Sequence, residues 1–290
     1  MLNIVVNPIA GDKSGRKIKK TLSSVEKYLK NKNIEYKIYP SEHKGHAKLL
    51  TEQIIASKEN NVIVMGGDGT IHEVINGFSN FDEVTLGIIP CGTGNDFVCS
   101  LNIPLNPIKA LEIILNGKSK FVDYMQMPSV RGINIIGMGI DVSVLEKYSN
   151  LKNKNKLSYA WCLFKTLLDF EYSSFKATFD GVEKDCNSFV AVIANGNQYG
   201  GGIKICPSAN PLDSNLDFLV VNQIPKNKIL GKLIKLLKGK VMTFKETEHF
   251  TCKKIKIETP APCTIQVDGE LYQDIPFEVE IISNQLKVYM

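Results

Sequence analysis

Asn61-Val62-Ile63-Val64-Met65-Gly66-Gly67-Asp68-Gly69-Thr70 runs from four consecutive apolar residues into a turn with glycine at 66, 67 and 69. Such an apolar run reads as a buried strand. Ile71-His72-Glu73-Val74-Ile75-Asn76-Gly77-Phe78 follows with apolar residues at helical spacing, and Gly77 stands where the helix would stop. The unit is therefore strand, glycine turn, helix. Glycine has no Cβ, so bare backbone N–H groups can approach a ligand at this turn, and the start of the helix adds a positive dipole end suited to phosphate. Asp68 lies inside that anion-friendly turn. A carboxylate there is poorly suited to gripping phosphate and well suited to holding the Mg²⁺ that travels with a nucleotide. The plain alternative is a tight turn with no ligand.

Working outward, Leu2 to Val6 read as a strand, and Asn7 to Lys17 form a loop of turn formers and cations that fails the Walker A spacing. A helix is expected over Ile18 to Leu29 and a strand over Ile34 to Tyr39. The turn Pro40 to Ala47 then leads into a helix ending at Ala56, with Ser41 as a helix-start or turn residue. Three strand–helix repeats in a row argue a parallel sheet with ligand at the strands' C-terminal ends. Val84 to Pro90 is a fourth strand, and it too runs into a glycine turn, Cys91-Gly92-Thr93-Gly94-Asn95-Asp96-Phe97. Both turns would open at the same edge of the sheet. Pro107 and Gly117 bracket a helix over Ile108 to Leu115.

From Phe121 the pattern changes to short strand-like segments: 121–125, 133–136, 176–179, 188–194, 216–221, 254–257, 264–267, 277–282 and 286–289. Hairpin signals join several of them, notably Asp180-Gly181 and Asp268-Gly269, so a mostly antiparallel second domain is expected. Two helical insertions interrupt it. The basic loop Asn150 to Lys156 precedes an apolar, aromatic-rich segment from Leu157 to Phe170, which reads as core before it reads as a lipid site. Lys226 to Val241 places Leu230, Leu233, Ile234, Leu237 and Val241 on one helical face and Lys228, Lys232, Lys235 and Lys238 on the other. That pattern fits an ordinary surface helix and also a helix lying on an anionic membrane.

At 290 residues and 43% hydrophobic content, the chain can bury a substantial core and has room for two domains. A net charge of +5 suits an anionic membrane, a nucleotide or nucleic acid alike, so charge does not choose the partner. Seven cysteines with no CxxC pair speak against a disulfide framework and a zinc site, and favour a reducing cytoplasm. The opening Met1 to Pro8 reads as a strand and not as a signal peptide, and no apolar run is long enough to span a bilayer. Any membrane contact is expected to be peripheral.

Gly66-Gly67-Asp68-Gly69-Thr70 resembles the GGDGT signature shared by diacylglycerol kinases, sphingosine kinases, NAD kinases and phosphofructokinases. Gly92 to Phe97 is similar to the GTxNDF motif of the diacylglycerol-kinase-like lipid kinases, and the resemblance spans nearly the whole chain. It implies an α/β nucleotide-binding domain with a parallel sheet over residues 1–120, completed by the extreme C-terminus. A mostly antiparallel β-sandwich over 121–290 would contribute the catalytic glutamate and a lipid-side cleft. ATP contacts are implied at Asn7, Pro8 and Gly11 of an NPxxG strand end, and at Ser41, where the family usually has threonine. Further contacts are implied at Gly66, Gly67, Asp68, Gly69, Thr70, His72 and Thr93. His72 departs from the asparagine common after GGDGT.

Asp268-Gly269-Glu270 matches the family's DGE, whose glutamate faces the GGDGT aspartate and accepts the proton of the attacking hydroxyl; read without the family, it is a hairpin turn with a solvated Glu270 beside it. Asp123 would join the Mg²⁺ network, or be a plain surface aspartate. The resemblance also implies a structural Mg²⁺ held by Asp213 with Asn210 and Asn215, although Ser214 stands where the family usually has glycine. The expected activity is transfer of the γ-phosphate of ATP to a lipid hydroxyl with Mg²⁺, first of all diacylglycerol to phosphatidic acid. An NAD kinase-like enzyme and a nucleotide-binding regulatory protein without turnover are the alternatives. Expected partners are ATP and a lipid at an anionic membrane surface, met peripherally from the cytoplasm, with no nucleic acid. Lys13, Arg16 and the Lys226–Val241 helix would favour that surface by a salt-screened attraction. A homodimer is compatible with the sequence but not specified by it.

Overall fold

The computed structural model describes all residues except 12–13, 82, 150, 152–157, 159–160, 163–164, 167–169 and 171. Lys13, Asn150, Lys152 to Lys156 and much of the 157–170 segment therefore lie outside the described residues. The chain divides into two compact units, Met1–Tyr124 with Ile282–Met290, and Met125–Ile281. No described helix is long and apolar enough to cross a membrane.

The first unit is an α/β layer. Strands β1 (Leu2–Val6), β2 (Tyr36–Pro40), β3 (Asn61–Gly66) and β4 (Thr85–Pro90) pair in parallel in the order β2-β1-β3-β4. The chain runs from β1 to one side and then to the other, so a topological switch lies between β1 and β3 at their C-terminal ends. Helices α1 (Arg16–Asn31), α2 (His46–Ala56), α3 (Asp68–Asn76), α4 (Asp96–Ser100) and α5 (Pro107–Leu115) connect the strands. Ile18, Val25 and Leu29 of α1 and Leu111 and Ile114 of α5 bury against Ile4, Ile63 and Ile89 of the sheet. Asn106 caps α5 by accepting from the Ile108 and Lys109 amides, with Pro107 at the first helical position.

Two details depart from the sequence pattern. Gly77 ends α3 with an ordinary φ of −90°, and its lack of a side chain serves packing: a Cβ there would come within 2.5 Å of the Lys48 carbonyl oxygen in α2. Ser41 does not start α2, which begins at His46. The N–H groups of Gly45 and Ala47 at that start donate to the Glu73 carboxylate of α3 at 2.8 and 3.1 Å.

In the second unit every pairing is antiparallel. Its strands are β6 (Arg131–Gly132), β7 (Ile135–Gly139), β8 (Ser173–Phe179), β9 (Val182–Ala194), β10 (Leu216–Asn222), β11 (Thr247–Cys252), β12 (Lys254–Glu258), β13 (Thr264–Val267) and β14 (Glu270–Gln273). Strand β9 pairs with β7, β8 and β10, while β13 joins β7 to β14. Along β9, Ala191 and Ile193 enter one core with Phe218, Ile255 and Val267, whereas Val190, Val192 and Ala194 enter another with Ile140 and Leu233. The two-sided burial explains why Phe189–Ala194 and Phe218–Val221 read as continuous apolar runs. The Asp180-Gly181 and Asp268-Gly269 turns both have two successive positive φ values, 45° and 85°, and 53° and 89°, as two-residue hairpins require.

Strand β5 (Ser119–Gln126) pairs with β6 and with β15 (Glu278–Tyr289). The two C-terminal strands expected at 277–282 and 286–289 are the single strand β15. Its first residues, Glu278 to Glu280, pair antiparallel with β12, and Lys287 and Val288 pair parallel with β4. The patterns of β11 and β14 were too short or too polar to be recognised. Helix α6 (Ile140–Ser149) is an addition, and the helix expected over 226–241 is shorter: α7 covers Ile229–Leu237, with a 3₁₀ turn on each side.

Candidate active site

Strand β1 ends at Val6 and β3 at Gly66, so Asn7 and Thr70 meet beside the topological switch, where the Asn7 amide donates to the Thr70 hydroxyl at 3.1 Å. Thr70 needs Gly66 as a neighbour: a Cβ on Gly66 would lie 2.5 Å from the Thr70 side chain. The glycines also let the two turns touch. A Cβ on Gly92 would lie 2.5 Å from the Gly67 Cα, and one on Gly67 would lie 2.9 Å from the Gly92 Cα. Gly11 is similarly constrained, with φ of 81° and the Cys91 carbonyl oxygen 2.4 Å from where its Cβ would be. Three chain segments thus converge on one glycine-lined spot, and Gly11, Gly67 and Gly92 answer this mutual contact.

Asp68 opens α3 and turns its carboxylate toward the second loop. Its Oδ2 accepts from the Asn95 amide at 2.8 Å and its Oδ1 from the Phe97 amide at 3.4 Å. Burial, then the neighbouring charge of Asp96, push the Asp68 pKa up to about 6, with the backbone amides pulling the other way. A cation would reverse that balance and favour the ionised form. Asn95 takes a left-handed conformation and closes its own loop, accepting from the Gly92 amide at 3.0 Å and donating to the Gly92 carbonyl at 3.1 Å. Thr93, at the tip, is exposed, and Pro8 and Ser41 are partly exposed, with the Ser41 amide donating to Val6 at 2.8 Å. His72 is buried in α3, 3% exposed. Asp123, on β5, is also 3% exposed, which overturns the reading of it as a plain surface aspartate.

Within the second unit, Glu270 begins β14 directly after the Asp268-Gly269 turn and stands opposite Val267. The Asp268 carboxylate accepts from the Ile133, Asn134 and Ile135 amides at 2.8, 2.8 and 3.1 Å, tying the turn to the start of β7. Gln266 adds a second tie, accepting from the Gly269 amide at 2.8 Å and donating to Asp141 Oδ2 at 3.3 Å. Asp141 lies in the first turn of α6 and is 4% exposed; its Oδ1 has no hydrogen-bond partner, and burial pushes its pKa up to about 7. Gly137 makes room for it, since a Cβ there would lie 1.9 Å from Asp141 Oδ2. Sequence reasoning missed Asp141, Gln266 and Glu73. The Asp141–Gln266 bond and those of Glu73 to Gly45 and Ala47 join residues distant in the chain, and the local signal for Asp141 was only an acidic residue in the first turn of a helix.

In the 210–215 loop, Asn215 donates its amide to Asp213 Oδ1 at 3.0 Å, and Asn210 accepts from the Leu212 amide at 3.3 Å. Ser214 takes φ of 60°, so this serine adopts the left-handed backbone that glycine would supply, and its carbonyl accepts from the Lys253 ammonium. The loop offers a carboxylate and backbone carbonyls, the kind of hard oxygens that Mg²⁺ prefers. Nearby in sequence, Cys206, Asp217 and His249 have ligand-type atoms within 4.8 Å of one another. His249 and Ser208 already bond Asp217 at 2.6 and 3.2 Å, so these side chains satisfy one another without an ion.

Residues 1–127 match the diacylglycerol kinase catalytic domain, and residues 134–290 match the YegS C-terminal NAD kinase beta sandwich-like domain. The chain belongs to the diacylglycerol kinase-like family. Among its relatives, "Putative lipid kinase YtlR" of Bacillus subtilis (strain 168) is 28% identical, over 98% of this chain and 97% of that protein. "Putative lipid kinase SH2167" of Staphylococcus haemolyticus (strain JCSC1435) is 29% identical, over 92% and 89%. A crystal structure of a "putative diacylglycerol kinase" from Bacillus anthracis str. Sterne superposes with a TM-score of 0.81 at 27% identity, covering 99% of this chain and 94% of that one. The family's plan, an α/β domain with parallel strands followed by a β-sandwich, is the plan described above.

Proposed function

We propose that this member of a lipid kinase family transfers the γ-phosphate of ATP to the hydroxyl of a membrane lipid, with diacylglycerol the leading acceptor and phosphatidic acid the product. The observation that carries the reading is the Asp68 turn: a carboxylate fixed by the Asn95 and Phe97 amides, between two glycine loops at the switch point of a parallel sheet. Asn7, Pro8, Gly11, Ser41, Gly66, Gly67, Gly69, Thr70, His72 and Thr93 would form the ATP site around it. Mg²⁺ would supply charge neutralisation on the transferring phosphoryl group, and Asp68 and Asp123 would hold it. Glu270 would take the proton of the lipid hydroxyl, its turn fixed by Asp268 and Gln266. In the same reading Asp213, with Asn210 and Asn215, binds a structural Mg²⁺; metal analysis of the protein purified without chelator tests this, and an absence of bound divalent ion would remove the site. Work at a membrane from the cytoplasmic side accords with the lipid acceptor.

The decisive experiment supplies labelled ATP and Mg²⁺ with diacylglycerol, phosphatidylglycerol, sphingosine or undecaprenol in mixed micelles, and with NAD in parallel. Label in the diacylglycerol product is expected. Label in another lipid would keep the kinase and change its acceptor. Label in NAD alone, or nucleotide binding with no transfer, would replace the reading by one of its two alternatives.

A further inference from the structure

Helix α7 and the turn after it carry a surface that the fold does not use. Among the described side chains, α7 buries Ile229, Leu233 and Leu236 in the core, a seam at i, i+4 and i+7. At about 100° per residue, Ile234 stands roughly 130° round the helix from that seam, out of reach of the core. It is 50% exposed, Leu237 is 41% exposed, and Met242 in the following 3₁₀ turn is 45% exposed. Packing thus splits the single apolar face expected from the sequence: Leu233 goes in, and Ile234 and Leu237 stay out.

The charge around these three residues has one sign. From Lys226 to Lys245 there are seven lysines and no acidic residue. Lys235, Lys238 and Lys240 are exposed beside the apolar trio. Lys232 pairs with Glu246 and lies 4.7 Å from the Phe244 ring centre. Its ammonium is nevertheless pushed to a lower pKa, by burial first and then by the charges of Lys245, Lys235 and Lys228. This is a patch whose own cations repel one another and whose apolar side chains meet water.

We propose that this face, Ile234, Leu237 and Met242 ringed by Lys235, Lys238 and Lys240, docks on the surface of an anionic lipid bilayer. The apolar residues enter the headgroup–acyl boundary while the lysines remain among the headgroups. Charge complementarity selects this occupant: basic residues on the polar part of an amphipathic helix with apolar side chains between them match anionic headgroups above hydrocarbon. An acidic protein surface would leave the apolar trio unmatched, and a second copy of the same face would set lysine against lysine. The claim deepens the proposed lipid kinase reading by naming where the chain meets its substrate's phase, but it is tested without turnover.

The test is co-sedimentation of the full chain with vesicles of phosphatidylcholine alone and of equimolar phosphatidylcholine and phosphatidylglycerol, at low and high salt. Binding to the anionic vesicles, screened by salt, is expected. Lys235→Ala with Lys238→Ala should weaken it by about ten- to thirty-fold. Ile234→Ser with Leu237→Ser should weaken it on the order of ten-fold, and should do so at high salt as well. Val182→Ser, at a residue 54% exposed on a hairpin elsewhere, is the control and should change nothing. All four substituted positions are exposed, and matching circular dichroism melts establish that the variants fold. Equal binding to neutral vesicles, or wild-type binding by either double variant, would overturn the proposal. So would a concentration-dependent dimer that the serine pair dissolves, because the face would then belong to a second copy. A failure here with lipid phosphorylation intact leaves the kinase reading standing, and vesicle binding without any phosphorylation does the reverse.

Discussion

The two turns that present Asp68 and Glu270 are fixed by opposite means. Around Asp68 the restraint is close approach at glycines: Gly67 and Gly92 bring two main chains together, and Gly66 and Gly94 leave room for the Thr70 and Asp68 side chains, so that a Cβ on any of the four would lie within 3 Å of a neighbouring atom. Around Glu270 the restraint comes from side chains, with Asp268 spanning three amides of the strand ahead and Gln266 linking the turn to Asp141. A turn made of backbone tolerates almost no substitution in its glycines but asks little of distant residues. A turn made by side chains has open space around its own glycine, which is needed only for its φ of 89°, and depends on residues more than a hundred positions away.

The largest effect is expected from Asp68→Asn. The substitution keeps the volume and removes the charge, and it also turns an N–H group toward an amide that Asp68 now accepts from. Transfer to any acceptor should fall on the order of 10³-fold or more, measured as initial rate with saturating ATP and Mg²⁺. A rate within a few fold of wild type would show that the backbone-built turn is only a packing motif.

Glu270→Gln should follow, with a loss of about 10²–10⁴-fold in turnover and ATP affinity unchanged, as removal of a general base requires. If ATP affinity falls with the rate, Glu270 supports the fold and the side-chain-built turn has lost its chemical role. A smaller effect is expected from Asp268→Asn, which gives up one of two accepting oxygens and leaves amides unpaired. A loss of about 1–3 kcal/mol in stability is expected by chemical denaturation, with turnover reduced by less than in Glu270→Gln. Full stability in this variant would mean that the hairpin geometry alone holds the turn.

The contrast also explains what could be read from the chain. The α/β half was legible because each strand, turn and helix there is contiguous: Val62–Met65, the glycine turn and the Ile71–Ile75 periodicity declare a local structure. The hairpin at Asp268-Gly269 was legible for the same reason. What holds that hairpin was not, since Asp141 and Gln266 are 125 positions apart and neither looks unusual in its own neighbourhood. For Ile234 and Leu237 the sequence left two readings open for a related reason. Periodicity finds an apolar face but cannot tell how much of it the neighbouring core has room to cover, and here the core takes Leu233, Leu236 and Val241 while Ile234 and Leu237 stay exposed. Ser214 shows the limit of residue type as a guide to backbone, for it holds φ of 60° where glycine was the expected residue.

The finest probe of the comparison is Asp141, the far end of the side-chain support. Its pKa is about 7 in the folded chain, raised by burial from an ordinary value near 3.8, so the folded state holds the proton more tightly than the unfolded state does. Stability from this group is therefore fully present below about pH 4 and is lost as pH rises through 7, reaching of order 4 kcal/mol at most. Asp141→Asn keeps an oxygen for the Gln266 amide and removes the titration. The variant's unfolding free energy should match or fall below wild type at pH 4 and exceed it at pH 8, with the crossover between. Turnover at pH 8 should change by only a few fold, because Gln266 still holds the Gly269 amide. A difference between variant and wild type that stays constant from pH 4 to pH 8 would show that folding does not raise the Asp141 pKa and that the carboxylate stays ionised over that range. The link from α6 to the turn would then be a hydrogen bond to a buried charge, and not to a carboxyl that folding protonates.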